Sequence, residues 1–111
     1  MSDNNELATR PEYVPQALRT LAAYLERALD SATSIVMMRP TDDVCIVYLG
    51  DPAGLREDLK QIATIATSVA NSMLESTFSG VNELQIDGQL YRFARSFTQV
   101  DDMAAVVFSM D

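Results

Sequence analysis

Apolar and polar positions divide the chain into segments with helical or extended periodicity. Over residues 16–32, leucines and alanines recur at every third or fourth position, which predicts an amphipathic helix of about four turns. Two nearly unbroken apolar runs follow at residues 33–40 and 44–50, and such runs are typical of strands covered on both faces. The polar residues 41–43 between them predict a turn. The first half of the chain is therefore predicted to be a helix followed by a two-stranded hairpin.

A second stripe of apolar positions with helical spacing lies within residues 51–80, and Gly80 supplies a stop signal at its end. The stripe is wide and is interrupted by small alanines, which would let another backbone approach closely. Its members are Leu55, Leu59, Ile62, Ala63, Ala66, Val69, Ala70, Met73 and Leu74. The pattern predicts one long helix.

Strand-like runs complete the chain at residues 82–86, 89–97 and 103–110. Asp87–Gly88 joins the first two and strongly indicates a hairpin, since a type I′ turn needs positive φ at both central positions. The predicted fold is an α+β domain with the element order α-β-β-α-β-β-β. Its five-stranded antiparallel sheet would have the order 2-1-5-4-3, with the helices packed on it. Residues 82–86 would then form an edge strand, whose unpaired backbone groups invite another strand.

Composition limits the partners of this fold. The 111 residues are predicted to form one domain over residues 15–111, preceded by a flexible arm over residues 1–14. The net charge of −8 disfavours binding to nucleic acid and to anionic membranes, and it favours basic proteins or an apolar patch ringed by polar groups. The polar, acidic N-terminus lacks the features of a secretion signal, and the single Cys45 cannot form an internal disulfide. These features predict a cytoplasmic protein.

The residues that most often carry catalysis are scarce. The chain has no histidine, which excludes Ser-His-Asp and Cys-His pairs and histidine metal ligands. It also lacks the glycine-rich phosphate-binding motifs. The acidic pairs Asp42–Asp43 and Asp101–Asp102 lie where turns are expected, and aspartate is a common turn residue. We therefore expect no enzymatic activity, no cofactor and no metal site.

The element order and the C-terminal half resemble the Roadblock (dynein light chain) family, within the longin- and profilin-like folds. The resemblance covers about residues 16–111. It is carried by an alanine-rich helix, by Leu84 and Ile86, by the turn at Gly88, by Leu90 and by the apolar run at residues 103–108. The hairpin at residues 34–50 resembles the family's first hairpin, although its turn is Pro-Thr-Asp-Asp where the family usually has Asp-Gly.

This resemblance implies a homodimer in which the third strands pair and the second helices pack together. The dimer would bind a small Ras-like GTPase as a regulator or scaffold, and members of the family can stimulate GTP hydrolysis by arranging the partner's own catalytic groups. A twofold interface uses the same patch on both subunits. The residues predicted for it are Ile62, Ile65, Ala66, Val69, Ala70, Met73, Glu83, Leu84, Gln85 and Ile86.

Two other functions remain open. Small, acidic, dimeric chaperones of secretion systems share the size and charge of this chain. They usually carry three strands after the first helix and a closing helix, whereas the pattern predicts two strands there and no closing helix. An enzyme that uses only carboxylates has the least support, because no acidic pair lies where burial would raise its pKa.

Overall fold

The computed structural model describes residues 15–110 as an α+β structure, in which two helices lie on one face of an antiparallel sheet. The helices are α1 (Gln16–Ser31) and α2 (Thr67–Glu75). The strands are β1 (Ser34–Met38), β2 (Val44–Gly50), β3 (Lys60–Ala66), β4 (Gly80–Ile86), β5 (Gln89–Val100) and β6 (Met103–Met110). A 3₁₀ turn, Arg56–Asp58, precedes β3. The predicted α+β class is confirmed, and the predicted arm at residues 1–14 lies outside the described residues.

Within the described residues the sheet has six strands, in the order β3-β2-β1-β6-β5-β4. The predicted number of five strands and the order 2-1-5-4-3 are wrong, because β3 adds a strand on the outer side of β2. The pairing of the first strand with the last, on which that order rested, is present, with Ile35 opposite Phe108 and Met37 opposite Val106. The strands β1 and β6 therefore lie at the centre of the sheet, where their unbroken apolar sequences are covered on both faces.

The long helix predicted over residues 51–80 is wrong, because its first part is a loop. Asp51 opens this loop with its own hydrogen bonds: its side chain accepts from the N–H of Ala53 at 2.9 Å, and its carbonyl accepts from the N–H of Gly54 at 3.0 Å. An aspartate that bonds the backbone two residues on stabilises a turn, and glycine in the same stretch adds backbone freedom. The sequence Asp-Pro-Ala-Gly thus ends β2 in a turn instead of beginning a helix.

The middle part of the predicted helix is the strand β3. Its residues pair with β2, with Cys45 opposite Ile65 and Val47 opposite Ala63. Threonine and isoleucine are β-branched and favour extended backbone over helix. The element order is therefore α-β-β-β-α-β-β-β, and only Thr67–Glu75 of the predicted helix is helical.

The larger core lies between the helices and the sheet. α1 buries Leu21, Leu25 and Ala28 against this face, and α2 buries Ala70 and Met73. From the sheet, Phe93 and Phe108 are fully buried, and their rings meet edge to face at a centroid distance of 5.8 Å. Edge-to-face geometry is the favourable arrangement for aromatic pairs.

A smaller apolar cluster covers the opposite face of the sheet. Val36 and Met38 alternate with the helix-facing residues of β1 and pack there with Leu59, which follows the 3₁₀ turn. The guanidinium of Arg56 lies 4.8 Å from the centre of the Tyr48 ring and donates a hydrogen bond of 3.1 Å to its hydroxyl. The loop before β3 thus shields a sheet face that carries no helix.

The predicted turns at Asp87–Gly88 and at Asp101–Asp102 are confirmed. Asp87 and Gly88 have φ values of 49° and 82°, as a type I′ hairpin turn requires. Asp101 and Asp102 have φ values of 51° and 66° and join β5 to β6 in the same way. Both acidic residues of the second pair therefore belong to a turn.

Tyr91 on β5 links the sheet to α1. Its hydroxyl donates a hydrogen bond of 2.7 Å to Glu26 Oε2. Burial, the hydrogen bond to the Glu26 carboxylate and the negative charges of Glu26 and Asp87 together raise the pKa of Tyr91 to about 12. Since the unfolded phenol titrates near its ordinary pKa of about 10, the folded protein holds this proton more tightly. The resulting stabilisation is complete below pH 10 and is lost as the pH rises from 10 towards 12.

We expect the urea midpoint of the wild type to fall more steeply between pH 10 and 12 than that of Tyr91→Phe, because Tyr91→Phe has no proton to lose at this position. Urea titrations followed by circular dichroism at pH 8, 10 and 11.5 measure the difference. Glu26→Gln keeps an acceptor for the hydroxyl without the negative charge, so its pH dependence should lie between the other two. Parallel curves for wild type and Tyr91→Phe would contradict the assignment.

Candidate protein-interaction surfaces

The structure does not bring the residues predicted for a dimer interface together on one surface. The strands β3 and β4, which carry most of them, lie at opposite edges of the sheet. The residues are Ile62, Ile65 and Ala66 on β3, Val69, Ala70 and Met73 on α2, and Glu83, Leu84, Gln85 and Ile86 on β4. The prediction placed the first six on one helix, and that placement is wrong for the three residues on β3.

Several of these side chains already make contacts within the chain. Ala70, Met73 and Ile86 are buried in the core between helices and sheet. Glu83 is exposed and forms an ion pair of 2.9 Å with Arg92 on the neighbouring strand. Apart from the half-buried Val69 on α2, the accessible predicted residues therefore belong to two strands at opposite edges of the sheet.

The outer edge of β3 is interrupted by an irregular register. Val47 of β2 pairs with Ala63, but the next residue, Tyr48, pairs with Gln61, so that Ile62 is an extra residue on β3. A bulge of this kind bends a strand and increases its twist, which hinders the addition of another strand. The edge of β3 is thus protected by its shape.

The outer edge of β4 is protected by charge. Glu83 lies in the middle of the strand, opposite Arg92 of β5. A charged residue in an edge strand disfavours pairing with a second copy of the same strand in a register that places like charges opposite each other.

A third free edge lies on the second half of β5. This strand runs to Val100, but β4 pairs with it only as far as Arg95, which lies opposite Gly80. Residues 96–100 pair with β6 on one side, and no strand among residues 15–110 pairs with their other side. Their sequence, Ser-Phe-Thr-Gln-Val, contains no charge, proline or glycine. This edge has neither of the protections found on β3 and β4.

Arg95 explains why β4 does not continue along β5. One of its amino groups, Nη1, donates to the carbonyls of Leu74 and Thr77 at 2.8 and 3.1 Å and to the Thr77 hydroxyl at 2.9 Å. Nη2 donates to the Ser79 hydroxyl at 3.3 Å. These bonds hold the end of α2 and the linker after it against Arg95, so the chain joins the sheet only at Gly80. The carbonyls at a helix C-terminus are otherwise unsatisfied, and a cation there is favourable.

Phe97 lies on this free edge and is largely exposed. The ring keeps 62% of its accessible surface, and the Arg95 guanidinium lies 5.8 Å from its centre. Next to it, a cavity of about 210 Å³ opens between α2 and the ends of the central strands. Its lining is mostly apolar and includes Met37, Leu74 and Val106.

Phe78 is the most exposed large apolar residue described, with 75% of its surface accessible. Its backbone is nevertheless fixed, because the buried Asn82 side chain accepts a hydrogen bond from its N–H at 2.8 Å and donates one to its carbonyl at 2.7 Å. Asn82 also donates to the carbonyl of Gly80 at 3.0 Å. An exposed aromatic residue on a fixed backbone is suited to binding, since little loop entropy remains to be lost.

Metal-ligating side chains do not gather anywhere in the described part of the chain. Among residues 15–110 no three His, Cys, Asp or Glu side chains lie close enough to hold a metal ion. Cys45 is buried as a free thiol. No helix within this range is long and apolar enough to cross a membrane.

Comparison with known proteins gives no relative for this chain: no family model, no curated protein and no solved structure matches it. The resemblance to the Roadblock family stays a prediction. Its element order has two strands between the helices, whereas the structure has three.

Proposed function

We propose that this chain is a non-enzymatic protein-binding domain that works as a homodimer. The observation that carries the proposal is the rigid display of Phe78 and the exposure of Phe97 beside an open strand edge. Aromatic residues are enriched among the side chains that contribute most to protein–protein binding. The net charge of −8 adds a preference for partners with basic surfaces, because it steers them towards the domain.

The order of elements favours one class of partner. Three strands follow the first helix, which is the arrangement usual in small, acidic, dimeric chaperones of secretion systems. The sequence pattern counts against this class on two grounds, two strands in place of three and no closing helix. The strand β3 removes the first ground, whereas the last element among residues 15–110 is β6 and not a helix. With β3 in place, we propose that the domain escorts a secreted protein by binding an extended segment of it.

A small Ras-like GTPase is the second candidate partner. The pattern behind the Roadblock resemblance supports it, since Leu84 and Ile86 lie on β4, Gly88 in the hairpin turn and Leu90 on β5. The extra strand β3 lies at the far edge of the sheet from these residues. The domain would act on such a GTPase as a regulator or scaffold without supplying a metal or cofactor.

The partner is sought by co-expressing the tagged chain with each protein encoded beside its gene and measuring the mass of the purified complexes by light scattering. A complex with a secreted protein that forms without nucleotide supports the chaperone class. A complex with a GTPase whose stability changes between GDP and a non-hydrolysable GTP analogue supports the regulator class. Failure to form a complex with any of these proteins would count against the proposal.

Phe78→Ser is expected to weaken the partner complex by about tenfold or more, because it removes an exposed aromatic contact. Its melting temperature should stay close to that of the wild type, since the Phe78 side chain is largely in solvent. Leu55→Ser is the matched control, because Leu55 is a similarly exposed apolar residue in the loop before β3. Equal affinities for the two variants would show that Phe78 is not a contact.

A further inference from the structure

We infer that the homodimer forms by antiparallel pairing of residues 96–100 of β5 with the same residues of a second copy. This inference rests on the proposed homodimer and locates its interface. The segment has a free backbone edge over five consecutive residues, because β4 begins at Gly80, opposite Arg95, and does not reach this part of β5. Unpaired strand edges are templates for pairing with another chain.

The sequence of the segment is compatible with pairing to itself. In a twofold arrangement centred on Thr98, Ser96 of one copy lies opposite Val100 of the other, and Phe97 lies opposite Gln99. No charged residue lies within this ladder, so no like charges face each other. Phenylalanine, threonine and valine also favour extended backbone.

The same register brings the two Phe97 side chains together. Phe97 of each copy lies diagonal to Phe97 of the other on the same face, at a separation of about 7–8 Å between backbone positions, which aromatic side chains can bridge. Each ring would thus cover surface that is exposed in the single chain, where Phe97 is 62% accessible.

Charges at the two ends of the segment are complementary in this register. Arg95 precedes it, and the acidic turn Asp101–Asp102 follows it. Antiparallel pairing directs the acidic turn of one copy towards Arg95 of the other at both ends of the interface. This local attraction acts against the general repulsion between two chains that each carry a net charge of −8.

The other two edges are less suitable for a second copy. The edge of β3 contains the extra residue Ile62, and the edge of β4 contains Glu83. A second copy paired on β5 would cover Phe97 and the open edge beside it, so Phe78 is the more exposed aromatic residue that remains for a partner protein. In this arrangement Phe97 serves the proposed dimer and Phe78 serves the proposed partner binding.

Three variants test this location, and each of them adds one positive charge to a different edge of the sheet. Thr98→Lys, Thr64→Lys and Gln85→Lys replace exposed, neutral residues on β5, β3 and β4. Thr98→Lys should raise the dimer dissociation constant by about tenfold or more, because two ammonium groups face each other at the twofold axis. Light scattering should then give a mass near the 12.2 kDa of one chain for Thr98→Lys and twice that value for the wild type and the other two variants.

A cross-linking measurement checks the register independently. Thr98→Cys should form an intermolecular disulfide under mild oxidation, since directly opposed strand residues bring their Cα atoms within disulfide range. The wild type, whose only cysteine is the buried Cys45, is the blank, and Gln85→Cys is the matched control.

Each remaining outcome overturns the location. Dissociation by Gln85→Lys or Thr64→Lys alone would place the interface on β4 or β3 and leave the proposed function intact. A monomeric wild type would remove the homodimer together with this interface, while the co-expression experiment would still decide whether the chain binds a protein partner. Circular dichroism of all variants confirms that a lower mass does not result from unfolding.

Discussion

Phe108→Ala is expected to lower the free energy of unfolding by about 3–5 kcal/mol, the largest stability effect of any single change considered. Phe108 is fully buried on the central strand β6, below the helices and in edge-to-face contact with Phe93. Removing the ring loses its transfer free energy and leaves a cavity that the surrounding side chains can fill only in part. Since small domains are stable by about 5–15 kcal/mol, urea denaturation should show a midpoint reduced by about a fifth or more.

Phe78→Ala is the control for this change, because the same atoms are removed from a ring that is mostly in solvent. Its unfolding free energy should stay within about 0.5 kcal/mol of the wild type. Phe93→Ala and the double variant complete a mutant cycle, in which the aromatic pair should show a coupling of about 0.5–1.5 kcal/mol. A small loss for Phe108→Ala, comparable to that of Phe78→Ala, would contradict the described core.

The elements with a single consistent pattern could be predicted from the sequence. The leucine and alanine spacing of α1, the unbroken apolar runs of β1 and β6, and the Asp87–Gly88 turn each allow one interpretation, and the structure has all of them. The sequence also indicates that β1 and β6 lie at the centre of the sheet. A strand that is covered on both faces carries apolar residues on both of them, so apolar and polar residues do not alternate along it.

The strand β3 could not be separated from a helix by periodicity. Its residues Ile62, Ala63 and Ala66 continue the helical spacing of α2, because short apolar runs satisfy both patterns. Its backbone conformation depends on the pairing with β2, which is a tertiary contact. Two local features favour the observed structure over a helix. Asp51 and Gly54 favour a turn, and the β-branched residues of β3 favour extended backbone.

The candidate surfaces depended on this error. The helical interpretation of β3 groups its residues with those of α2 into one interface, although β3 and β4 lie at opposite edges of the sheet. The pattern does not predict the free edge at residues 96–100 for a different reason. This edge exists only because β5 extends beyond β4, and the hydrogen bonds of Arg95 to the linker after α2 set the point where β4 begins.

Asn82→Ala is expected to destabilise the protein by about 2–4 kcal/mol, which is large for a residue outside the apolar core. Three hydrogen bonds, two with the backbone of Phe78 and one with that of Gly80, are lost together. Each is worth about 0.5–1.5 kcal/mol, and a partly buried backbone group left without a partner costs more. The change should also release the linker that presents Phe78, because the Phe78 N–H has Asn82 Oδ1 as its acceptor.

Amide hydrogen exchange separates the local effect from the global one. In the wild type the Phe78 amide should exchange more slowly than is usual for an amide in an exposed linker. Asn82→Ala should increase the exchange rate of the Phe78 amide by a larger factor than it increases the rates of the amides of β1 and β6. Asn71→Ala is the control, because it removes the same side chain from an exposed position on α2 and should shift stability by no more than about 0.5 kcal/mol. If Asn82→Ala bound the partner as tightly as the wild type despite this release, pre-organisation of Phe78 would not contribute to affinity. A loss of affinity similar to that of Phe78→Ser, at a temperature where both variants are folded, would show that the Asn82 side chain supports binding by fixing the linker.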